Sequence, residues 1–334
     1  MAQLSAVEKL FTVIDNTSMI LVEELSCTYL EAVAETGENL FQNTILQEEV
    51  SEISKKRIEK EYSQVNLKQY SAEEIRKAYQ LAALKGMKEA TQPNHEMTPD
   101  AVSIFVGYLV SKFTEGWKGF SIFDPAVGTG NLLTTVLNQN QSKEIEASAI
   151  DVDDLLVKVA YVSANLQQHS IQFYNQDSLQ PLYIDPVDVI VCDLPVGYYP
   201  NDIGAANFEL HAKEGHSYAH HLFIEQSLKY TKEGGYLFFL VPNHLFTSEY
   251  AKELNAFLKE KSVIQGMIQL PLSLFKNENA AKSIFVIQKK GPEVKAPKQA
   301  LLVNLPKFSN QTAMAGIIKQ IDDWFKQEKH EIKL

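Results

Sequence analysis

From about residue 98 onward, short β-rich runs alternate with amphipathic helical segments, and this alternation limits the fold of the 334-residue chain more than any other feature. Strands are expected at 120–124, 147–151, 171–175, 187–193, 236–241, 263–270 and 283–288, with helices at 98–113, 131–138, 154–168, 218–230 and 248–259 between most of them. Alternating β and α elements call for a parallel, doubly wound sheet with helices on both faces. Residues 271–282 contain no clear helix, so the strands on either side should run antiparallel. A further strand at 300–303 and a helix at 312–325 close the chain. No internal repeat or low-complexity stretch interrupts the pattern.

The first ninety or so residues read differently. From Leu4 to about Ala34, apolar residues recur at helical spacing (Leu10, Val13, Ile14, Leu21, Leu25, Leu30), and no Pro or Gly breaks the run before Ala34. A charged stretch follows at 48–61. Ser71 with Glu74 forms a capping box that opens a helix reaching about Glu89. The expected organisation is a helical N-terminal domain, 1–93, followed by an α/β domain, 94–334.

Composition excludes several functions. No apolar run approaches the ~20 residues that span a bilayer, and the N-terminus carries Glu8 and no basic stretch before its apolar residues, unlike a cleaved signal. Cys27 and Cys192 alone make neither a disulfide framework nor a metal knuckle, so a reducing cytoplasm is the expected location and no membrane partner is expected. With 42 acidic and 31 basic residues the formal net charge is −11. That excess repels a polyanion at long range, and the only arginines, Arg57 and Arg76, offer little for bidentate phosphate clamps.

The strongest local signal is Ile122-Phe123-Asp124-Pro125-Ala126-Val127-Gly128-Thr129-Gly130-Asn131, a strand running into a glycine loop and then a helix. Two glycines let backbone approach a ligand at the carboxyl end of a strand. Leu133 stands where a nicotinamide fingerprint would place a third glycine, and no Gly-Lys-Ser/Thr follows for a P-loop. Asp151 ends the second strand about 20 residues on, where a carboxylate accepts from ribose hydroxyls; Val152 follows it, and Asp177-Ser178 follow the third strand. The fourth strand ends in Asp193-Leu194-Pro195-Val196-Gly197-Tyr198-Tyr199.

Asp-Pro-Ala-Val-Gly-Thr-Gly-Asn resembles the first motif of class I S-adenosylmethionine-dependent methyltransferases of the amino-methyltransferase type. The resemblance implies a Rossmann-like methyltransferase sheet, with S-adenosylmethionine held by Asp124, Ala126, Gly128, Gly130, Asn131, Asp151, Val152, Asp177 and Ser178. Met97-Thr98-Pro99 resembles the segment that meets the methionine end of the cofactor; Thr98 reads equally well as a helix N-cap before Pro99. The Asp193 segment resembles the Asn/Asp-Pro-Pro-Tyr/Phe motif of adenine-N6 methyltransferases, with Leu194 in place of the first proline and Val196 in place of the aromatic residue. By that resemblance Asp193, the Leu194 carbonyl and Pro195 orient the target amine, and Val196, Tyr198 or Tyr199 meet the substrate. Val196 supplies no stacking, a contact worth about 1–3 kcal/mol per base.

The later strands and the N-terminal helices are similar to the methylation subunits of type I restriction–modification systems, and to short stand-alone adenine-methylase-like proteins of low-GC Gram-positive bacteria. DNA is the implied substrate, with a specificity or partner subunit meeting the helical domain. The Val196 departure and the charge keep other acceptors open: a protein amide, RNA or a small molecule. They also leave room for an S-adenosylmethionine-binding scaffold without catalysis. His216, His220 and His221 have helix-compatible spacing but no further ligand to complete a metal set, so they are expected to cap the helix or line the substrate mouth. Asn243 follows the fifth strand on the ligand side of the sheet.

Overall fold

The computed structural model describes residues 4–89 and 97–332; the boundary expected at residue 93 lies outside the described residues. Helices α1 (Ala6–Leu25), α2 (Tyr29–Gln42), α3 (Glu52–Tyr62) and α4 (Ala72–Glu89) precede α5 (Asp100–Phe113), and the order then runs β1 (Gly119–Asp124), α6 (Asn131–Gln139), β2 (Glu144–Asp151), α7 (Asp154–Leu166), β3 (Ile171–Asn175) and β4 (Val187–Asp193). It continues through α8 (Asp202–Ala205), α9 (Ala219–Lys229), β5 (Thr231–Pro242), α10 (Ala251–Lys261), β6 (Ser262–Gln269), β7 (Lys282–Lys289), β8 (Leu301–Asn304) and α11 (Gln311–Ile332). The strands form one eight-stranded sheet in the order β3-β2-β1-β4-β5-β7-β6-β8. Among the described residues no helix is long and apolar enough to cross a membrane.

The chain divides into two compact units. One comprises the described residues up to Ile104 with Val127–Gln141 and Ala147–Gln176. Its core joins α1, α2 and α4 to α7 through Leu10, Ile14, Leu30, Val33, Tyr79, Val159 and Val162. The helical periodicity of the first 34 residues is cut in two here: Ser26 turns left-handed at φ 52°, and Thr28 and Glu31 form a reciprocal capping box that starts α2. Capping satisfies backbone N–H groups that a new helix start leaves without intrahelical partners. The Ser71–Glu74 box opens α4 as expected.

The second unit comprises Phe105–Ala126, Ser142–Glu146 and the chain from Asp177 onward. Strands β1, β4 and β5 are parallel, with Ile122 opposite Val189 and Val191 opposite Phe238. Their inner residues are buried on both faces, as in parallel sheets generally. β7 runs antiparallel between β5 and β6, pairing Phe239 and Met267 to Phe285, and β8 extends β6 in parallel. One face is closed by Phe113, whose ring meets those of Phe325, Phe238 and Tyr236 at 4.8, 5.5 and 5.1 Å.

Candidate active site at the carboxyl ends of the strands

The strand order reverses between β1 and β4, and Asp124 and Asp193 close these neighbouring strands. Crevices at such switch points are where open α/β sheets bind ligands. The buried Asp124 accepts from the Ala126 N–H (3.1 Å), folding the turn that leaves β1. The buried Ser178 hydroxyl donates to the Pro125 carbonyl (2.5 Å) and steadies the same turn from behind. The two glycines do different work. Gly128, at φ 53°, has nothing within 4 Å of where a Cβ would stand, so its open side is free backbone surface. Gly130, at φ 78°, begins α6 and would push a Cβ to 3.1 Å from that of Ala160. Both conformations disfavour any other residue.

Asp151, at the end of β2, accepts from the Gly128 N–H at 2.8 Å and from the Asp153 N–H at 3.1 Å. Its carboxylate is thereby fixed beside the glycine loop. Val152 is 71% exposed, an apolar side chain with no buried role in the fold. Asp177 accepts from the Tyr199 hydroxyl (2.5 Å) and the Leu179 N–H (2.9 Å). Tyr199 is buried, and its burial together with Asp177 raises the phenol above its ordinary value.

Thr98 and Asn131 belong to a buried network that the sequence did not announce. Asn131 donates to the Thr98 carbonyl (3.1 Å) and toward Ser103 (3.4 Å), and accepts from Arg76 (2.5 Å). Arg76, on α4 and 1% exposed, also pairs with Glu73 and Asp100. Its guanidinium ties the helical segment to the start of α6.

Asp193 is paired with Lys282, the first residue of β7, at 2.5 Å. Leu194 is buried and donates its N–H to the Leu240 carbonyl (3.2 Å), which holds the loop to β5. Pro195, Val196, Gly197 and Tyr198 are exposed, and Gly197 sits at φ 142°. Tyr198 stacks on Tyr218 at 5.2 Å with planes 13° apart, and the two residues form an isolated β-bridge. The histidines separate: His216 is exposed against Asp202, while His220 and His221 are buried in the first turn of α9. Burial pushes their imidazoles down to about 3 and about 4. Among the described residues no group of three or more His, Cys, Asp or Glu side chains is arranged to hold a metal. Asn243 accepts from Ser283 (2.8 Å) and lines a cavity of about 450 Å³ with Phe246, Met267, Gln269 and Asn304. Ser283 and Lys282 are successive on β7 and so face opposite sides of the sheet.

Residues 8–87 match the family model of the YtxK N-terminal helical domain, and residues 87–333 match that of the N-6 DNA methylase. The chain is 50% identical over 320 residues to the uncharacterized protein YtxK of Bacillus subtilis (strain 168), covering 96% of this chain and 97% of that one. A crystal structure from Listeria monocytogenes, assigned to the class I S-adenosylmethionine-dependent methyltransferases, shares 49% identity and a TM-score of 0.90 over 96% of this chain and 99% of that one. The methyltransferase subunit of a type I restriction–modification system from Streptococcus thermophilus shares the fold, at TM-score 0.63 and 14% identity over 95% of this chain and 74% of that one. With the glycine loop and the Asp193 segment at the carboxyl ends of its strands, the chain belongs to the N-6 DNA methylase family.

Proposed function

We propose that the protein transfers a methyl group from S-adenosylmethionine to the amino nitrogen of a nucleobase, with adenine N6 in DNA the acceptor to which its family points. S-Adenosylmethionine is the cofactor of a chain of this family, and it supplies a methyl group on an electrophilic sulfonium. The observation that carries the cofactor reading is the glycine loop, where the Gly128 N–H holds the Asp151 carboxylate and the open side of Gly128 would be filled by any Cβ. A carboxylate oxygen accepts more than one hydrogen bond, so Asp151 can serve ribose hydroxyls while keeping its backbone partners. Exposed Val152 suits an adenine face, Asp177 an adenine amino group, and Thr98 with Asn131 the methionine end. Asp124, Ala126 and Ser178 shape the loop, and Gly130 lets α6 begin against Ala160.

At the acceptor, Asp193 and the Leu194 carbonyl accept the amine N–H groups. The nitrogen lone pair is thereby kept out of the conjugated ring and directed at the methyl group. Orientation of this kind and charge placement are the main sources of rate in such a site. We assign the stacking contact that Val196 lacks to Tyr198, which is exposed and stacks on Tyr218. The net charge of −11 favours a second reading with the same chemistry and a different acceptor, a protein amide, RNA or a small molecule. A scaffold that binds the cofactor without catalysis is the third.

Calorimetric titration with S-adenosylmethionine should give one site per chain, lost or weakened at least tenfold in Asp151→Ala. Absence of binding, or identical binding in the variant, would sink all three readings. Labelled methyl transfer to DNA, RNA and protein extract then separates them: label on DNA supports the first, label on another acceptor only supports the second, and binding without transfer supports the third.

A further inference from the structure

We propose that Lys282 is a specificity-determining residue of the acceptor site, and that with Asp193 it selects an amino group lying next to a hydrogen-bond acceptor, the amidine edge of a nucleobase. This rests on the methyl-transfer reading above. Lys282 opens β7 opposite Pro242, and Asp193 closes β4 opposite Leu240, so the antiparallel direction of β7 brings a lysine to the carboxyl edge of the parallel strands. The ammonium is 2.5 Å from Asp193 Oδ1. The side chains retain 24% and 17% exposure, so the pair is reached from solvent and is not a sealed core ion pair. An ammonium has three N–H donors, and Asp193 is the only hydrogen-bond acceptor for that of Lys282 among the described residues.

The site therefore presents an acceptor and a charged donor side by side. Their chemical complement is an N–H donor bonded through one carbon to an acceptor atom: N6 with a ring nitrogen in adenine, N4 with N3 in cytosine, or the two ends of a primary carboxamide. An alkyl ammonium does not match, because it carries no acceptor atom for the Lys282 N–H groups. Of the remaining classes the nucleobase is favoured by Tyr198, exposed on the loop after Asp193 and stacked on Tyr218, a planar ring that a carboxamide does not need. A donor to the ring nitrogen draws electron density from the amine, so Lys282 contributes recognition and not nucleophilicity.

The test uses the full chain, labelled S-adenosylmethionine and oligonucleotides carrying adenine, 1-deazaadenine or 7-deazaadenine. Wild type should lose kcat/KM on the order of tenfold or more on 1-deazaadenine, the size of one hydrogen bond to a charged donor, and little on 7-deazaadenine, whose amidine edge is intact; the reverse order overturns the proposal. Lys282→Met should lose a similar factor on adenine and nothing further on 1-deazaadenine, while Lys282→Arg, which keeps a donor, should restore part of the discrimination. Equal loss on all three acceptors in Lys282→Met, or no discrimination by wild type, overturns the proposal and leaves the methyl-transfer reading standing. Cofactor binding with label on a glutamine peptide and none on any oligonucleotide overturns the proposal and the nucleobase acceptor it rests on, and no transfer to any acceptor overturns methyl transfer as well.

Discussion

Arg76 shows how much can rest on one side chain. The charge arithmetic treats it as one of two scarce arginines, yet it is buried and contacts Asn131, Glu73 and Asp100 at once. Burial works against its charge, and the two carboxylates more than offset that, holding the guanidinium above its ordinary value. Arg76→Met should lower stability by about 2–4 kcal/mol, less than the full cost of stranding a buried charge because Glu73 and Asp100 reach water. It should also weaken S-adenosylmethionine binding through Asn131 and Thr98. Denaturant unfolding and calorimetry check this, and a change within 0.5 kcal/mol, the range of an ordinary surface site, would rule out the network. His220 and His221 give a pH signature. Their folded-state values lie below the ordinary 6.5, so the unfolded chain binds more protons and stability falls as pH drops from about 6.5 toward 4. Each imidazole should cost about 1 kcal/mol or more between pH 6.5 and 5. Unfolding free energies across that window should be flatter in His220→Leu/His221→Leu; identical slopes would show that the pair is not buried neutral.

Elements are held by close approaches as well as by patterns. Gly37 lies inside α2, and a Cβ there would stand 2.4 Å from Val162 on α7 and 2.8 Å from Tyr79 on α4. Gly316 lies inside α11 with nothing within 4 Å of the same position. The same substitution should therefore act with opposite signs. Gly37→Ala should destabilise by about 1–3 kcal/mol through overpacking, and Gly316→Ala should stabilise by about 0.5–1 kcal/mol through helix propensity. Unfolding midpoints moving in the same direction would refute the contact reading. Periodicity located nearly every strand and helix of the α/β region, because alternation and amphipathicity are local. It could not show that β7 lies between β5 and β6, since strand order is a long-range choice. It also passed over the break at Ser26, where a non-glycine residue turns left-handed, although Thr28 and Glu31 carried the capping signal. The placement of Asp124, Asp151 and Asp193 at the ends of strands, and of Gly128 and Gly130 in the turn after β1, was legible because strand runs and the glycine pair are local signals. Lys282 was not, being brought to Asp193 across 89 residues of sequence by a strand that reads as ordinary core.

At the scale of the molecule, the charge balance tests the DNA acceptor directly. The net charge is −11, one of the two arginines is buried in the Asn131 network, and Lys282 is engaged by Asp193, so phosphate contacts would fall to the other lysines. Each phosphate neutralised contributes about 0.9 to the slope of log affinity against log salt, and non-specific duplex binding is ordinarily about 10⁻⁴–10⁻⁶ M at physiological salt. Lowering the salt lengthens the screening distance and strengthens the repulsion between an acidic chain and DNA along with any attraction. Fluorescence anisotropy with a 30-base-pair duplex between 50 and 200 mM salt should therefore give binding no tighter than about 10⁻⁴ M at the upper end, with a slope shallower than about −3. DNA methylation by this chain would then require a basic partner to supply the phosphate contacts, and adding that partner should steepen the slope while leaving S-adenosylmethionine affinity unchanged. A steep slope for the chain alone would instead reveal a lysine track that net charge conceals, and would remove the main physical objection to DNA as the acceptor.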